Sequence, residues 1–291
     1  MNLSKTVFEI AESFMEDAEY VSINDDNIRS LAEEIINSEH TEFYTHKSES
    51  IAKSILYELI GCSIDYCFWY GKSYIRPLGS NSTKLYELIV ESFTDFQFDE
   101  VNSDIVYDDS IKKLCNSLIL NRFPLVEERI KHLNELSFKI VEGFIIYLYT
   151  SKRKEVDLNK SMELLIQMFP GFAGDIFLKR AALFFIQLYR KFGWYSDILK
   201  TCHIPADYHI PKMLNHYGCI EYDTNLISKI YNNELIPKNS LEECEIRSAS
   251  ILVAKDLVNL TGLNVADIDS YLFLKRNECK DPFHLTITTD Y

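Results

Sequence analysis

Apolar residues recur at three- and four-residue intervals along most of the chain, the spacing that places them on one face of an amphipathic helix. One stripe begins at Phe8, and a second begins at Ile28 after the capping-type residues Asn24 and Asp25. Residues 124–150 open with a proline, a favoured first-turn residue, and continue as one long, largely buried helical pattern. Further helices are predicted near residues 49–61, 81–95, 109–120, 158–168, 177–191, 208–217, 223–232 and 240–260. The pattern therefore predicts a mostly α-helical fold.

Two segments break the helical pattern. Residues 66–76 are aromatic and contain a turn-like Gly-Lys pair, and residues 284–289 alternate and are β-branched. We expect them to pair as a small antiparallel β-ribbon beside the helical body. No Gly/Ser/Pro-rich linker, internal repeat or low-complexity tract interrupts the chain, so we expect residues 1–291 to form a single compact domain.

Composition narrows the possible folds and partners. The 291 residues include only 9 Gly and 7 Pro, which disfavours the turn-rich sandwiches, barrels and Rossmann sheets. Hydrophobic residues make up 47% of the chain, enough to bury a core, and this argues against disorder. The formal charge of -14 argues against direct nucleic-acid binding, because that depends on Lys and Arg neutralising phosphates. A small phosphorylated ligand, which needs only one or two local cations, stays possible.

The ends and the cysteines predict a reduced, cytoplasmic protein. No apolar signal-peptide core follows the N-terminus, and no run of about 18 apolar residues predicts a membrane span. The seven cysteines form no Cys-x-x-Cys pair, so the spacing typical of a zinc site is missing and no metal is expected. We interpret them as mostly buried thiols.

Five polar groups embedded in apolar segments are candidates for chemistry. Asp207 lies between Pro205 and Pro211, and either caps the helix that follows or faces a cleft, roles that are compatible. The aromatic residues after Asp65 suit either stacking on a flat heterocycle or core packing. Lys179 begins a basic pair at the head of an apolar helix, which either binds a phosphate or is a solvated helix end. Two further groups, residues 127–129 and 243–247, are interpreted as structural ion networks.

Taken in order, several short strings resemble the queuosine salvage family, the queuosine 5′-phosphate N-glycosylases. The strings run from about residue 46 to the C-terminus, and their order and spacing carry the resemblance rather than any one of them. They are Cys67-Phe68-Trp69, Pro124-Leu125-Val126-Glu127-Glu128-Arg129, Leu133-Asn134-Glu135, Phe169-Pro170, Lys179-Arg180-Ala181, Ala206-Asp207-Tyr208-His209-Ile210-Pro211, Leu214, Gly218, Glu243 with Glu245-Ile246-Arg247, Pro282-Phe283-His284 and Tyr291.

The resemblance implies a helical fold similar to that of the helical DNA glycosylases. It also implies hydrolysis of queuosine 5′-monophosphate, a small-molecule substrate, to release queuine for transfer-RNA modification, with no metal or organic cofactor. The family's catalytic aspartate corresponds to Asp207. Its substrate-contacting positions correspond to His46 (with His40 as a rival), Asp65, Tyr66, Phe68, Trp69, Lys179 for the phosphate, Tyr208, Asp269 and Tyr271.

Several positions depart from the family pattern. His209 replaces an arginine, Asp65 replaces an asparagine, and Gln187 and Leu274 stand where the family has acids. These departures leave two alternatives open, an altered-specificity or non-catalytic nucleotide-binding relative and a DNA or RNA glycosylase. The retained Asp207 opposes the first alternative, and the net negative charge opposes the second.

Overall fold

The computed structural model describes residues 3–38, 50–70, 80–151, 158–196 and 198–291. Within these ranges the chain is predominantly helical, which confirms the mostly α-helical prediction. The helices are α1 (Leu3–Glu16), α2 (Asp25–Asn37), α3 (Ile51–Ser63), α4 (Ser82–Ser92), α5 (Ser103–Leu120), α6 (Val126–Glu135), α7 (Phe138–Ser151), α8 (Leu158–Met168), α9 (Lys179–Phe192), α10 (His209–His216), α11 (Thr224–Tyr231), α12 (Leu241–Thr261) and α13 (Val265–Lys275).

A small antiparallel sheet is present, but other residues than expected form it. Strand β1 (Val21–Ile23) pairs with β2 (Ile220–Tyr222), so the sheet of the described residues is not the ribbon predicted from residues 66–76 and 284–289. In the C-terminal segment, Leu285 forms a single parallel bridge with Leu235. The Cys67 backbone N–H donates to the Tyr291 backbone oxygen, and the described residues of the two segments form no strand ladder with each other. Residues 71–76 of the predicted ribbon lie outside the described residues.

The long helix predicted over residues 124–150 is two helices, α6 and α7. The chain turns at Leu136, whose backbone N–H donates to the Leu133 carbonyl while its own carbonyl accepts from the buried Tyr107 hydroxyl at 2.8 Å. Because of that bond, the Leu136 carbonyl does not continue the helical hydrogen-bond pattern. This is a tertiary contact, which the apolar periodicity of the sequence does not reveal. Helix α13 was not among the predicted helices, although Asn264 and Asp267 form a capping box at its start.

Helix α12 runs through the centre of one contiguous apolar cluster. Helices α1, α2, α10 and α13 pack against α12, and α3 packs against α9. The buried Glu245 of α12 accepts hydrogen bonds from the backbone N–H groups of Glu19, Tyr20 and Val21, which fixes the chain between α1 and β1. No helix in the described ranges is both long and apolar enough to span a bilayer.

Candidate active site

A cavity of about 440 Å³ lies where α3, α4, α9, α10 and α13 meet. Its size is within the range typical of small-molecule sites. Polar and apolar side chains from these five helices and from the segments next to them form its wall. They are Glu58, Asp65, Phe68, Asn81, Ser82, Thr83, Tyr86, Lys179, Leu183, Gln187, Arg190, Pro205, Asp207, Tyr208, His209, Asp269, Phe273, Leu274 and Arg276.

Asp207 both caps a helix and faces this cavity. Its Oδ1 accepts from the backbone N–H groups of His209 at 2.7 Å and Ile210 at 3.1 Å, at the start of α10. No described residue donates a hydrogen bond to Oδ2, so that oxygen is available to a ligand. Burial raises the pKa of Asp207 above its usual range, and Lys179 and the two N–H donors offset only part of this rise. The carboxylate is thus held rigidly but ionises less readily than an exposed one.

Lys179 enters the cavity as half of an ion pair. Its Nζ donates to the Asp65 carbonyl at 3.1 Å and lies 3.4 Å from Asp65 Oδ1. Only 4% of the Lys179 side chain is exposed, so it is not a solvated helix end. The N-terminus of α9 is also occupied, because the Asp175 carboxylate accepts from the backbone N–H groups of Phe177 and Lys179. A phosphate in the cavity would therefore meet the Lys179 ammonium and not that helix start.

Two other cations of the matching sequence strings, Arg180 and Arg247, bind within the protein. The buried Arg180 donates to the carbonyls of Ser63 and Gly171. The buried Arg247 donates to both oxygens of Asp175, at 2.9 and 2.7 Å, and to Glu243 at 3.3 Å. The Glu243–Arg247 pair confirms the structural interpretation of residues 243–247. We conclude that neither guanidinium faces the cavity.

The ion network expected at residues 127–129 is instead a set of bonds to carbonyls. Arg129 is fully buried and donates to the backbone oxygens of Pro124, Ile64, Tyr66 and Cys67. It therefore holds the chain between α3 and Phe68, which forms one side of the cavity.

Two further carboxylates in the cavity wall carry their own cations. Arg190 of α9 reaches Asp269 Oδ2 at 2.6 Å, and Lys191 reaches Glu58 Oε1 at 2.7 Å. Burial raises the pKa of Asp269, and Arg190 counteracts only part of that effect. Asp207 is thus the cavity carboxylate that has backbone N–H donors in place of a paired cation.

Gln187 contributes an amide to the same wall. Its Oε1 is buried, and no described residue donates a hydrogen bond to it. An unpaired buried acceptor costs about 1–3 kcal/mol relative to a satisfied one. On α9 it follows Lys179 and Leu183 at four-residue spacing, so these three side chains share the helix face that lines the cavity.

Some of the aromatic residues predicted to contact the substrate line the cavity, and others are buried in the core. Phe68 and Tyr208 line the cavity, and Tyr208 stacks on Phe283 with ring centroids 4.4 Å apart. Tyr66 does not line it. Its hydroxyl is 3.2 Å from His132 Nδ1, and Arg129 lies over its ring. The chain turns at Cys67, where φ is +39°, so Tyr66 and Phe68 do not share a face as they would in a strand.

Trp69, Tyr271 and His46 complete the set of predicted positions. Trp69 is buried against Phe283 outside the cavity lining. The Tyr271 hydroxyl donates to Glu34 on α2, away from the cavity, although its neighbour Asp269 lines it. His46 lies outside the described residues, as does its rival His40.

The cavity wall also contains residues that were not predicted as site residues from the sequence, among them Glu58, Tyr86, Arg190, Phe273 and Arg276. Glu58 had a signal, since it is the single acid within the apolar sequence of α3. The others become neighbours only through packing. The Tyr86 ring, for example, approaches α3 at a glycine, where a Cβ on Gly61 would lie 2.5 Å from that ring.

Comparison with known proteins identifies the family of this chain. Residues 44–288 match the sequence model of the family described as "Queuosine salvage protein". A Schizosaccharomyces pombe protein named queuosine 5′-phosphate N-glycosylase/hydrolase is 26% identical over 184 residues, covering 57% of this chain and 53% of that protein.

Proteins of the same name from Bos taurus and Dictyostelium discoideum are each 26% identical. The first match spans 61% of both chains, and the second spans 81% of this chain and 77% of the relative. Several of the matches span only about half the length of the relative. Since the family match covers most of the sequence, this chain belongs to the queuosine salvage protein family.

Proposed function

We propose that the protein hydrolyses the N-glycosidic bond of queuosine 5′-monophosphate and releases queuine. The observation that carries this proposal is the position of Asp207, whose Oδ1 is fixed by two backbone N–H donors while Oδ2 is left for a ligand in the cavity. The relatives named queuosine 5′-phosphate N-glycosylase/hydrolase support the same chemistry.

In the proposed reaction, the bond between ribose C1′ and the base nitrogen breaks with its electron pair leaving on the base. The sugar becomes oxocarbenium-like, and the Asp207 carboxylate stabilises that positive charge or forms a transient bond to C1′. Water supplies hydroxide to C1′ and a proton to the base, so the products are ribose 5-phosphate and queuine. Because queuine is a 7-deazaguanine, its position 7 offers no nitrogen to protonate, and stabilisation of the sugar cation should carry more of the catalysis.

The cavity also offers groups for the rest of the substrate. We propose that Phe68 and Tyr208 contact the flat base, since both are aromatic side chains in the cavity wall. Asp65 and Asp269 are proposed to hold the secondary amine and diol of queuine, and Lys179 the 5′-phosphate. Substrate binding would then open the Lys179–Asp65 ion pair, because Lys179 would bind the anionic phosphate and Asp65 the cationic amine.

Substrate contacts of His46, Tyr66, Trp69 and Tyr271 are proposed from the family resemblance alone, since His46 lies outside the described residues and the other three are not in the described cavity lining. We infer that the partner is a small nucleotide and not a nucleic acid, because the formal charge is -14. We also infer a cytoplasmic location, consistent with seven free cysteines of which six are buried.

A substrate panel tests the proposal. The purified chain is incubated separately with queuosine 5′-monophosphate, queuosine and a queuosine-containing transfer RNA, and free queuine is measured by chromatography. We expect release from the monophosphate above that from the nucleoside, and none from the transfer RNA. Release from transfer RNA would indicate a polymer glycosylase, and tight binding of the monophosphate without release would indicate a non-catalytic relative. In the same assay, Lys179→Ala should raise KM for the monophosphate more than for the nucleoside.

A further inference from the structure

A second polar cluster lies outside the cavity, where the C-terminal end of α10 meets the segment after α13. His216 is in the last turn of α10, and Cys279 and Asp281 follow α13 two residues apart. One ligand-type atom from each residue lies within 4.8 Å of the others. The geometry points to a binding site for a zinc-class divalent cation formed by these three side chains.

The distances suit a tetrahedral ion. Asp281 Oδ2 is 3.5 Å from Cys279 Sγ and 4.0 Å from His216 Nδ1. Zinc bonds of about 2.3 Å to sulfur and about 2.0–2.1 Å to nitrogen or oxygen place neighbouring ligand atoms roughly 3.3–3.6 Å apart. The Cys–Asp pair already has this spacing. The His216 side chain is 40% exposed, so it can turn the short remaining distance inward.

The surroundings of the three residues also resemble those of a metal site. The Tyr231 hydroxyl donates to Asp281 Oδ1 at 2.8 Å, which leaves Oδ2 directed toward the other two ligands. Lys212, one turn before His216, donates to the carbonyls of Arg276 and Cys279 and holds their segment against α10. Hydrogen bonds of this kind to ligating carboxylates and their backbone are typical of metal centres.

The nature of the donors favours zinc over magnesium or calcium. A thiolate, an imidazole and one carboxylate form a borderline-soft set, whereas the two hard cations prefer oxygen ligands. On binding, the Cys279 thiol gives up the proton that it donates to Asp281, and that proton goes to solvent. A fourth position would remain for water. None of the three residues lines the cavity, so the ion has no direct part in the proposed hydrolysis.

An ion at this site would link two helices that form the cavity. Helix α10 begins at the Asp207 cap, and α13 carries Asp269, so an ion bound at their ends would join two walls of the cavity. Because His216 is more than sixty residues from Cys279 and Asp281, no sequence spacing of the zinc-finger type indicates the three ligands.

Cobalt(II) titration of the reduced, full-length protein tests this site, because cobalt replaces zinc and absorbs light when bound to thiolate. We expect one equivalent to bind with a thiolate-to-cobalt charge-transfer band, and zinc to displace it and raise the thermal midpoint. Cys279→Ser should abolish the band, and His216→Gln should weaken binding at least tenfold. Cys115→Ser is the matched control, since Cys115 is the half-buried thiol outside the cluster, and it should bind as the parent does.

The proposal fails if the parent takes up no cobalt, or if the band survives in Cys279→Ser. Should Cys279→Ser not fold, the partly exposed His216→Gln decides, and cobalt affinity equal to that of the parent would overturn the site. Queuine release plays no part in this experiment, so its outcome is independent of the proposed hydrolysis.

Discussion

At the scale of single residues, the carboxylates of the site differ in the hydrogen-bond or ion-pair partner that each one has. Asp207 is satisfied by backbone N–H groups, whereas Asp65, Asp269 and Glu58 each have a lysine or arginine. A carboxylate without a paired cation keeps more of its negative potential for a developing positive charge. This difference singles out Asp207 more strongly than its presence in a motif.

Gln187 provides a prediction at this scale. Gln187→Leu should raise the thermal midpoint of the free protein, because it removes a buried acceptor that lacks a partner. The same change should weaken queuine binding about tenfold or more, because leucine cannot accept a hydrogen bond from a base bound in the cavity. Differential scanning fluorimetry and calorimetric titration with queuine measure the two effects.

Gln167→Leu on the exposed face of α8 is the matched control and should leave queuine affinity unchanged. A lower midpoint with parental queuine affinity in Gln187→Leu would mean that Gln187 is a structural residue.

Residues that act through local chain geometry could be predicted from the sequence, and residues that act through packing could not. The prolines around Asp207 indicated a fixed helix start, and the structure has one. The partners of Lys179 and Arg180 come from residues more than a hundred positions away or across a turn. No local pattern reports such contacts.

At the scale of elements, the cavity depends on α9 and α12 being joined by a buried ion pair. Asp175 caps the start of α9 and binds Arg247 of α12 through both oxygens. Burial opposes ionisation of Asp175, but the charge and hydrogen bonds of Arg247, with the N–H donors, lower its pKa below the usual value. The pair thus fixes the helix that carries Lys179, Gln187 and Arg190.

Asp175→Asn tests that junction. The amide oxygen can still cap α9, but Arg247 loses its main counter-charge in a buried site, and we expect a loss of about 3–5 kcal/mol in unfolding free energy. Urea denaturation followed by circular dichroism gives the value. Asp26→Asn is the control, because Asp26 also pairs with an arginine at a helix start but its side chain is 92% exposed, so little change is expected. Equal losses in the two variants would rule out a special role for the buried pair.

Most helices were predictable because each carries its own apolar periodicity, and the errors arose where tertiary contacts decide. The Tyr107 hydroxyl ends α6 where the pattern continues, and β1 and β2 pair because α12 brings distant segments together. Three-residue strands are too short for alternation to reveal them.

At the scale of the whole molecule, buried histidines should make the fold sensitive to acid. Burial lowers the pKa of His203 to about 4 and that of His284 to about 3. In the unfolded chain histidine titrates near about 6.5, so below that pH the unfolded state binds protons that the folded state does not. Stability is therefore lost as the pH falls from about 6.5 toward about 4.

His284→Gln isolates one of these protons. In this window each such histidine contributes about 1.4 kcal/mol per pH unit to the decrease of the unfolding free energy. The slope of unfolding free energy against pH should therefore be smaller in the variant than in the parent by about that amount. Urea denaturation between pH 6.5 and 5 measures both slopes. Carboxyl groups with raised pKa values, such as Asp207, act in the opposite direction but cancel in the comparison. Identical slopes would show that His284 does not resist protonation in the folded state.

The central claim is that the Asp207 carboxylate carries the cleavage of the glycosidic bond, and queuine release by Asp207→Asn tests it most directly. Asparagine keeps an oxygen for the N–H groups of His209 and Ile210, so α10 stays capped. Because burial raises the pKa of Asp207, removing the charge should leave the thermal midpoint at neutral pH unchanged or higher. We predict that the folded variant releases queuine from queuosine 5′-monophosphate at least about a hundredfold more slowly than the parent. Release at the parental rate would contradict the assignment of Asp207 as the catalytic carboxylate.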